Sequence, residues 1–110
     1  MNKLVALAGM LLVAGCQRSD VKVLIGATAI VAPGAQPIED SIVIVSGRRI
    51  RSVGMRKDIP IPQDSERIDL TGKQIVPGDG SRIAVGEDSD IVVLDSTGKV
   101  TRRLVDGVWR

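Results

Sequence analysis

The side chains able to do chemistry in this chain are few, and their spacing decides what they can do. No histidine occurs among the 110 residues, which removes imidazole-based zinc, iron and copper sites and every Ser–His, Cys–His or histidine-base mechanism. Ser41, Ser46, Ser65 and Ser81 therefore lack their usual activator, and although Lys73 is available for a Ser–Lys dyad, no motif supports one. Gly72-Lys73 lacks the upstream glycine spacing and the helix of a phosphate-binding loop. Glu87, Asp88 and Asp90 offer carboxylate oxygens of the kind Ca²⁺ prefers, but the rest of a calcium loop is missing, so they read as a structural turn with Asp90 opening a strand. Asp79-Gly80 and Asp106-Gly107 are turn chemistry. No catalytic residue, no metal ligand and no cofactor site is expected.

Charge and aromatic content narrow the partners. Fifteen Lys and Arg against 13 Asp and Glu leave a formal charge of only +2, and the single aromatic residue is Trp109. That balance gives no electrostatic footprint for nucleic acid, and one ring makes no stacking platform. Arg48, Arg49 and Arg51 form the one dense cationic patch; they read as a solvated turn and strand edge, with an acidic partner as the alternative. Trp109 is expected to cap the core, with exposure at an interface as the alternative.

The elements that must position these groups are strands. After Asp20 the chain shows short β-branched runs broken by Gly and Pro, with no long apolar period near 3.6 residues. Runs are expected at 21–25, 27–32, 41–45, 48–54, 66–70, 73–76, 90–95, 100–105 and 108–110. The second arm of 41–54 returns antiparallel through Ser46-Gly47. Asp58, Pro60, Pro62 and Gln63 place a loop or an edge at 55–64, because prolines cannot donate to a central ladder. Acids bound the run Ile91-Val92-Val93-Leu94, which reads as a strand buried on both faces. The expected fold is all-β, a composite β-sandwich or flattened barrel of about eight short, mostly antiparallel strands over 21–110. Without Phe or Tyr, its core must be Val, Ile and Leu.

Residues 1–16 read differently. Lys3 precedes an apolar run, and Ala14 and Gly15 stand just before Cys16, the one cysteine of the chain. As a helix, Leu4 to Gly15 would be about 18 Å long at ~1.5 Å per residue, short of the roughly 30 Å hydrocarbon core. These are the parts of a secretory signal. Leu12-Val13-Ala14-Gly15-Cys16 resembles the lipobox of bacterial lipoproteins, which implies a signal peptide at 1–15, acylation of Cys16, and a lipidated tether at 16–20. Acyl chains at about 0.8 kcal/mol per buried CH₂ anchor a chain without spanning the membrane. Gln17 stands where Asp would resemble an inner-membrane retention signal, so the inner leaflet of an outer membrane is expected in a Gram-negative host.

A second resemblance covers most of 21–110. The stretch Ile42-Val43-Ile44-Val45-Ser46-Gly47-Arg48-Arg49-Ile50-Arg51-Ser52-Val53-Gly54, followed by Ile68-Asp69-Leu70-Thr71-Gly72-Lys73-Gln74-Ile75-Val76-Pro77-Gly78, is similar to the amino-terminal small domain of the amidohydrolase superfamily. There the D-x-x-G-K-x-x-x-P-G segment, matched by Asp69, Gly72, Lys73, Pro77 and Gly78, leads into a catalytic barrel through an H-x-H motif. No H-x-H follows here. Gly80 to Asp95 instead resembles the G-x-I-x-x-G-x-x-A-D-L-V-V-L-D stretch found after the barrel, with Ser89 in place of Ala, and 103–110 resembles the closing V-x-D-G strand pair. The resemblance implies two flanks of an accessory domain joined directly, with the barrel of ~250 residues and its metal ligands gone. A non-catalytic, lipid-anchored envelope lipoprotein is expected, a binding or structural module whose partners are the membrane and an unidentified envelope protein. The alternative is an accessory subunit or remnant of a metal-dependent amidohydrolase that needs a separate barrel.

Overall fold

The computed structural model describes residues 20–78 and 82–110. Nine strands form there: β1 (Val21–Ile25), β2 (Thr28–Ala29), β3 (Ser41–Ser46), β4 (Arg49–Met55), β5 (Glu66–Asp69), β6 (Gln74–Pro77), β7 (Asp90–Leu94), β8 (Val100–Val105) and β9 (Val108–Trp109). The described residues contain no α-helix, and a short 3-10 turn spans Arg56–Asp58. The strands make two sheets, in the orders β4-β3-β1-β5 and β2-β6-β7-β8-β9. The fold is the expected all-β sandwich, with no closed barrel.

Five strand pairs are antiparallel, but β1 pairs with β5 and β2 with β6 in parallel. Both parallel pairs come from one device. The chain leaves the first sheet after β1, bends at Gly26 and enters the second sheet as β2; β5 and β6 make the same crossing beside it through the turn at 70–73. Leu70 N donates to Ile25 O at 2.7 Å and Thr28 N to Lys73 O at 3.0 Å, so the two crossings are bonded to each other.

The core between the sheets is aliphatic, as the missing Phe and Tyr require. Leu24, Val43, Val45 and Ile50 of the first sheet meet Ile75, Ile91, Val93 and Leu104 of the second in one cluster. Each is 2% exposed or less, and full burial of such side chains contributes about 1.5–3 kcal/mol apiece. A smaller cluster of Val23, Ile42 and Ile44 lies on the outer face of the first sheet, roofed by Ile59 and Ile61 from the proline-bearing loop.

That roof corrects one expectation. The strand buried on both faces is β3, buried from Ser41 through Val45, and not β7. In β7 only Ile91 and Val93 are fully buried, whereas Val92 and Leu94 are half-exposed on the outer face. Both strands are nearly all apolar; what separates them is whether a loop folds back over the outer face. The 27–32 run also shortens, to Thr28–Ala29 plus a single bridge from Ala29 to Ile38.

Candidate functional site

The sandwich has two unlike ends. At one, the β3–β4 turn, the 84–88 turn and the β8–β9 turn converge. Gly47 N donates to Asp20 O (2.8 Å), Ser89 N to Arg48 O (2.8 Å), Ile50 N to Glu87 O (2.9 Å), Gly86 N to Ile50 O (2.8 Å) and Asp106 N to Ser89 O (2.9 Å). Segments far apart in sequence are stapled here by backbone bonds. Of the cations singled out from the sequence, Arg48 pairs here with Asp106 (3.8 Å) and Arg49 with Asp88 (3.5 Å), and Glu87 pairs with Arg82 (3.6 Å); Arg51 stands exposed on β4. Asp90, farther into the sheet, holds Arg103 at 3.2 Å. Among the described residues no group of three His, Cys, Asp or Glu side chains is arranged to hold a metal ion. The exposed pairs contribute only about 0–1 kcal/mol each, so they set which surfaces face each other more than how tightly.

The opposite end carries a polar groove that the sequence reading did not single out. Its volume is about 440 Å³, and Thr28, Lys73, Gln74, Asp95, Ser96 and Thr97 line it together with Gly72 and Gly98. Two copies of one pentapeptide pattern build its walls, Asp69-Leu70-Thr71-Gly72-Lys73 and Asp95-Ser96-Thr97-Gly98-Lys99. Each aspartate closes its own turn. Asp69 Oδ1 accepts from Thr71 Oγ1 (2.6 Å) and Thr71 N (3.0 Å); Asp95 Oδ1 accepts from Thr97 Oγ1 (2.6 Å), Thr97 N (2.9 Å) and Lys99 N (3.0 Å). Hydrogen bonding to the charged form favours it. The Thr71 hydroxyl first and its N–H second hold the Asp69 carboxyl below the usual range; the Thr97 hydroxyl, the Lys99 and Thr97 amides and the Lys73 charge do the same for Asp95. Both aspartates thus stay anionic at neutral pH and serve as fixed acceptors, ill-matched to proton transfer there. The repeated D-x-T-G-K is the sequence signal that marks this end.

The remaining residues of interest have structural work. Ser41 Oγ donates to Ala27 O at 2.7 Å inside the core, and Ser65 Oγ to Pro62 O at 2.7 Å. Lys73 lines the groove with Ser96, whereas none of Ser41, Ser46 and Ser65 does. Ser89 is fully buried, and its Oγ has no hydrogen-bond partner among the described residues. That is the physical sense of Ala at the corresponding place in the sequence pattern this stretch resembles. Trp109 packs against the main core with the Arg102 guanidinium 3.8 Å from its ring centroid, and its Nε1 is likewise buried and unpartnered among the described residues. Cys16, the signal region 1–15 and all of the tether except Asp20 lie outside the described residues, as do Asp79, Gly80 and Ser81.

No family model matches the chain. No curated protein matches it either. Among solved structures it is similar to molinate hydrolase, at 30% identity and a TM-score of 0.49 over 55% of this chain and 13% of that one. It is similar to phenylurea hydrolase B at 29% identity and a TM-score of 0.49, over 53% of this chain and 13% of that one. A prolidase complexed with N-methylphosphonate-L-proline is 29% identical with a TM-score of 0.45, over 53% of this chain and 14% of that one. The chain therefore spans about one-seventh of the length of these neighbours, which are enzymes of the amidohydrolase superfamily.

Proposed function

We propose that this chain is a non-catalytic β-sandwich module, a counterpart of the accessory domain its motifs resemble, held at a bacterial envelope membrane through acylated Cys16. One observation carries the non-catalytic part. Strand β6, from the segment that would lead into a barrel, pairs directly with β7, from the segment that would follow one, in the register Gln74↔Leu94 to Pro77↔Ile91. Gly78 N then donates to Asp90 O at 2.9 Å, and Ile75, Ile91, Val93 and Leu104 complete one core with the first sheet. A short connection costs much less to close than one the size of a barrel, so the module is a finished folding unit without an inserted domain.

The test uses the full chain purified from its native membrane. Mass spectrometry of the intact protein should show acyl mass on a chain beginning at Cys16. The same preparation, with and without added Zn²⁺, should hydrolyse no amide or ester in a broad substrate panel. Hydrolysis that needs Zn²⁺, is abolished by a chelator and persists in a homogeneous sample would overturn the non-catalytic reading.

A second reading has its own observation. The outer face of β6, β7, β8 and β9 carries the cross-strand pairs Val76↔Val92, Leu94↔Val100 and Val105↔Val108, all at least partly exposed. Such a face suits docking on a separately encoded barrel. Co-purification of a stoichiometric larger subunit bearing metal ligands would favour this accessory-subunit reading over the self-contained module.

A further inference from the structure

The roof over the outer face of the first sheet leaves a gap against β4. Ile59 and Ile61 pack on Val23, Ile42 and Ile44, and the loop bears on β4 at Gly54, where an added Cβ would come 2.8 Å from Ile59 Cδ1. Beside that contact a groove of about 320 Å³ runs between loop and sheet, with Ile59, Pro60, Ile61 and Pro62 on one side and Ile44 and Ser52 on the other. Arg51 is the one charged residue lining it among the described residues. Its neighbours Arg48, Arg49 and Arg56 each hold an acid. The Arg51 side chain is exposed and has neither an ion pair nor a hydrogen bond among the described residues.

We propose that this groove binds a medium-chain aliphatic carboxylate, its alkyl chain lying between Ser52 and the 59–62 loop and its carboxylate paired with Arg51. Size and charge both point to that class. The volume falls at the small end of the roughly 300–1,000 Å³ of small-molecule sites. At the ~30 Å³ that a water-sized group takes up in a liquid, it holds about ten carbons. The walls are aliphatic, so they offer an alkyl chain contact and give a polar chain little to bond beyond the Ser52 hydroxyl. A guanidinium pairs with a carboxylate through two parallel hydrogen bonds. One unpaired cation matches a monoanion; a phosphate dianion would call for a second, and no other lines the groove among the described residues. The inference holds whether or not Cys16 is acylated.

The probe is sodium decanoate, titrated at pH 7 into the ¹⁵N-labelled full chain carrying Cys16→Ser, which keeps the protein's own acyl chains out of the groove. Amide resonances of 44, 51, 52, 59 and 61 should shift and saturate, while those of 72–74 and 95–98 stay in place. A half-buried methylene contributes about twofold in affinity, so hexanoate should bind about tenfold or more weakly. Decylammonium, with the same chain and the opposite charge, should also bind at least about tenfold more weakly than decanoate. Arg51→Gln, at an exposed position, should weaken decanoate by about tenfold or more and leave 1-decanol within about twofold. Ser52→Leu should fill the groove and abolish the shifts. Absent or non-saturating shifts, equal binding of decanoate and decylammonium, or unchanged decanoate affinity in Arg51→Gln would overturn the proposal.

Discussion

Gly107 offers a sharp test of whether the front and back of the chain close on each other. It sits in the β8–β9 turn with φ +81, after Asp106 at φ +52, the pair of positive dihedrals of a two-residue type I′ hairpin. A methyl group added there would run into the carbonyl oxygen of Gly47, in the β3–β4 turn. Gly98, in the 95–99 turn, is the matched control, with φ +89 and nothing within 4 Å of an added Cβ. Both Gly→Ala changes carry the cost of an L side chain at positive φ, about 1 kcal/mol. Only Gly107→Ala must also force two packed turns apart, which adds about 1–3 kcal/mol by the measure of overpacked sites.

With a urea m-value of about 1 kcal/mol/M, Gly98→Ala should lower the unfolding midpoint by about 1 M and Gly107→Ala by about 2–4 M. Far-UV circular dichroism of the full chain follows the transition, and the fluorescence of Trp109 supplies an independent probe. Coincident transitions by both would show that the loss belongs to the whole sandwich. Equal losses from the two variants would refute the reasoning, because they would mean that the turn of the back segment does not press on the turn of the front one.

Three further outcomes follow from burial and charge. Ser89→Ala should raise stability by about 1 kcal/mol in urea titration, because it deletes a buried, unpartnered hydroxyl from a site alanine fits; a loss of similar size would show that Oγ is satisfied. Ile91→Ala should cost about 2–4 kcal/mol and Val92→Ala less than about 1, since the first side chain is fully buried and the second lies on the half-exposed face; similar losses would return β7 to burial on both faces. The Thr97 hydroxyl holds the Asp95 carboxyl below the ordinary aspartate value of 3.8, so its contribution is present above that value and is lost as pH falls through the folded pKa. The urea midpoint of the native chain should therefore fall more steeply below about pH 3.8 than that of Asp95→Asn, and parallel curves would show that the Thr97 and Lys99 bonds do not favour the carboxylate.

Much of the fold is legible in the sequence because Gly, Pro and β-branched residues act locally. Val21–Ile25 and the hairpin around Gly47 stand where their runs and turn residues put them. The parallel pairings were not legible, since periodicity tells which residues share a face but not which strand lies alongside. Nor was the double burial of β3, which depends on Ile59 and Ile61 returning over it from a loop whose prolines identify it only as a non-strand. The acid partners of Arg48 and Arg49 stand about 40 to 60 positions away, a separation over which spacing is silent. Catalytic motifs offered no route to the groove; its signal is a repeated turn, D-x-T-G-K at 69–73 and 95–99.

The division between the two ends follows from where the chain is held. Beyond the β6–β7 ladder, bonds from the back segment to the front gather at the stapled end: Ile83 to Val31, Ile50 to Glu87, Gly86 to Ile50, Ser89 to Arg48 and Gly78 to Asp90. At the groove end, the 95–99 turn closes only on itself, through Asp95 N to Lys99 O, Gly98 N to Asp95 O and the Asp95 carboxylate. Turns held by local bonds open at lower free energy than elements tied into the core, so this wall of the groove can adjust while the β6–β7 ladder stays intact. The same sheet that joins the two flanks keeps the tied end and the locally closed end about 20 Å apart, the span of a six-residue strand.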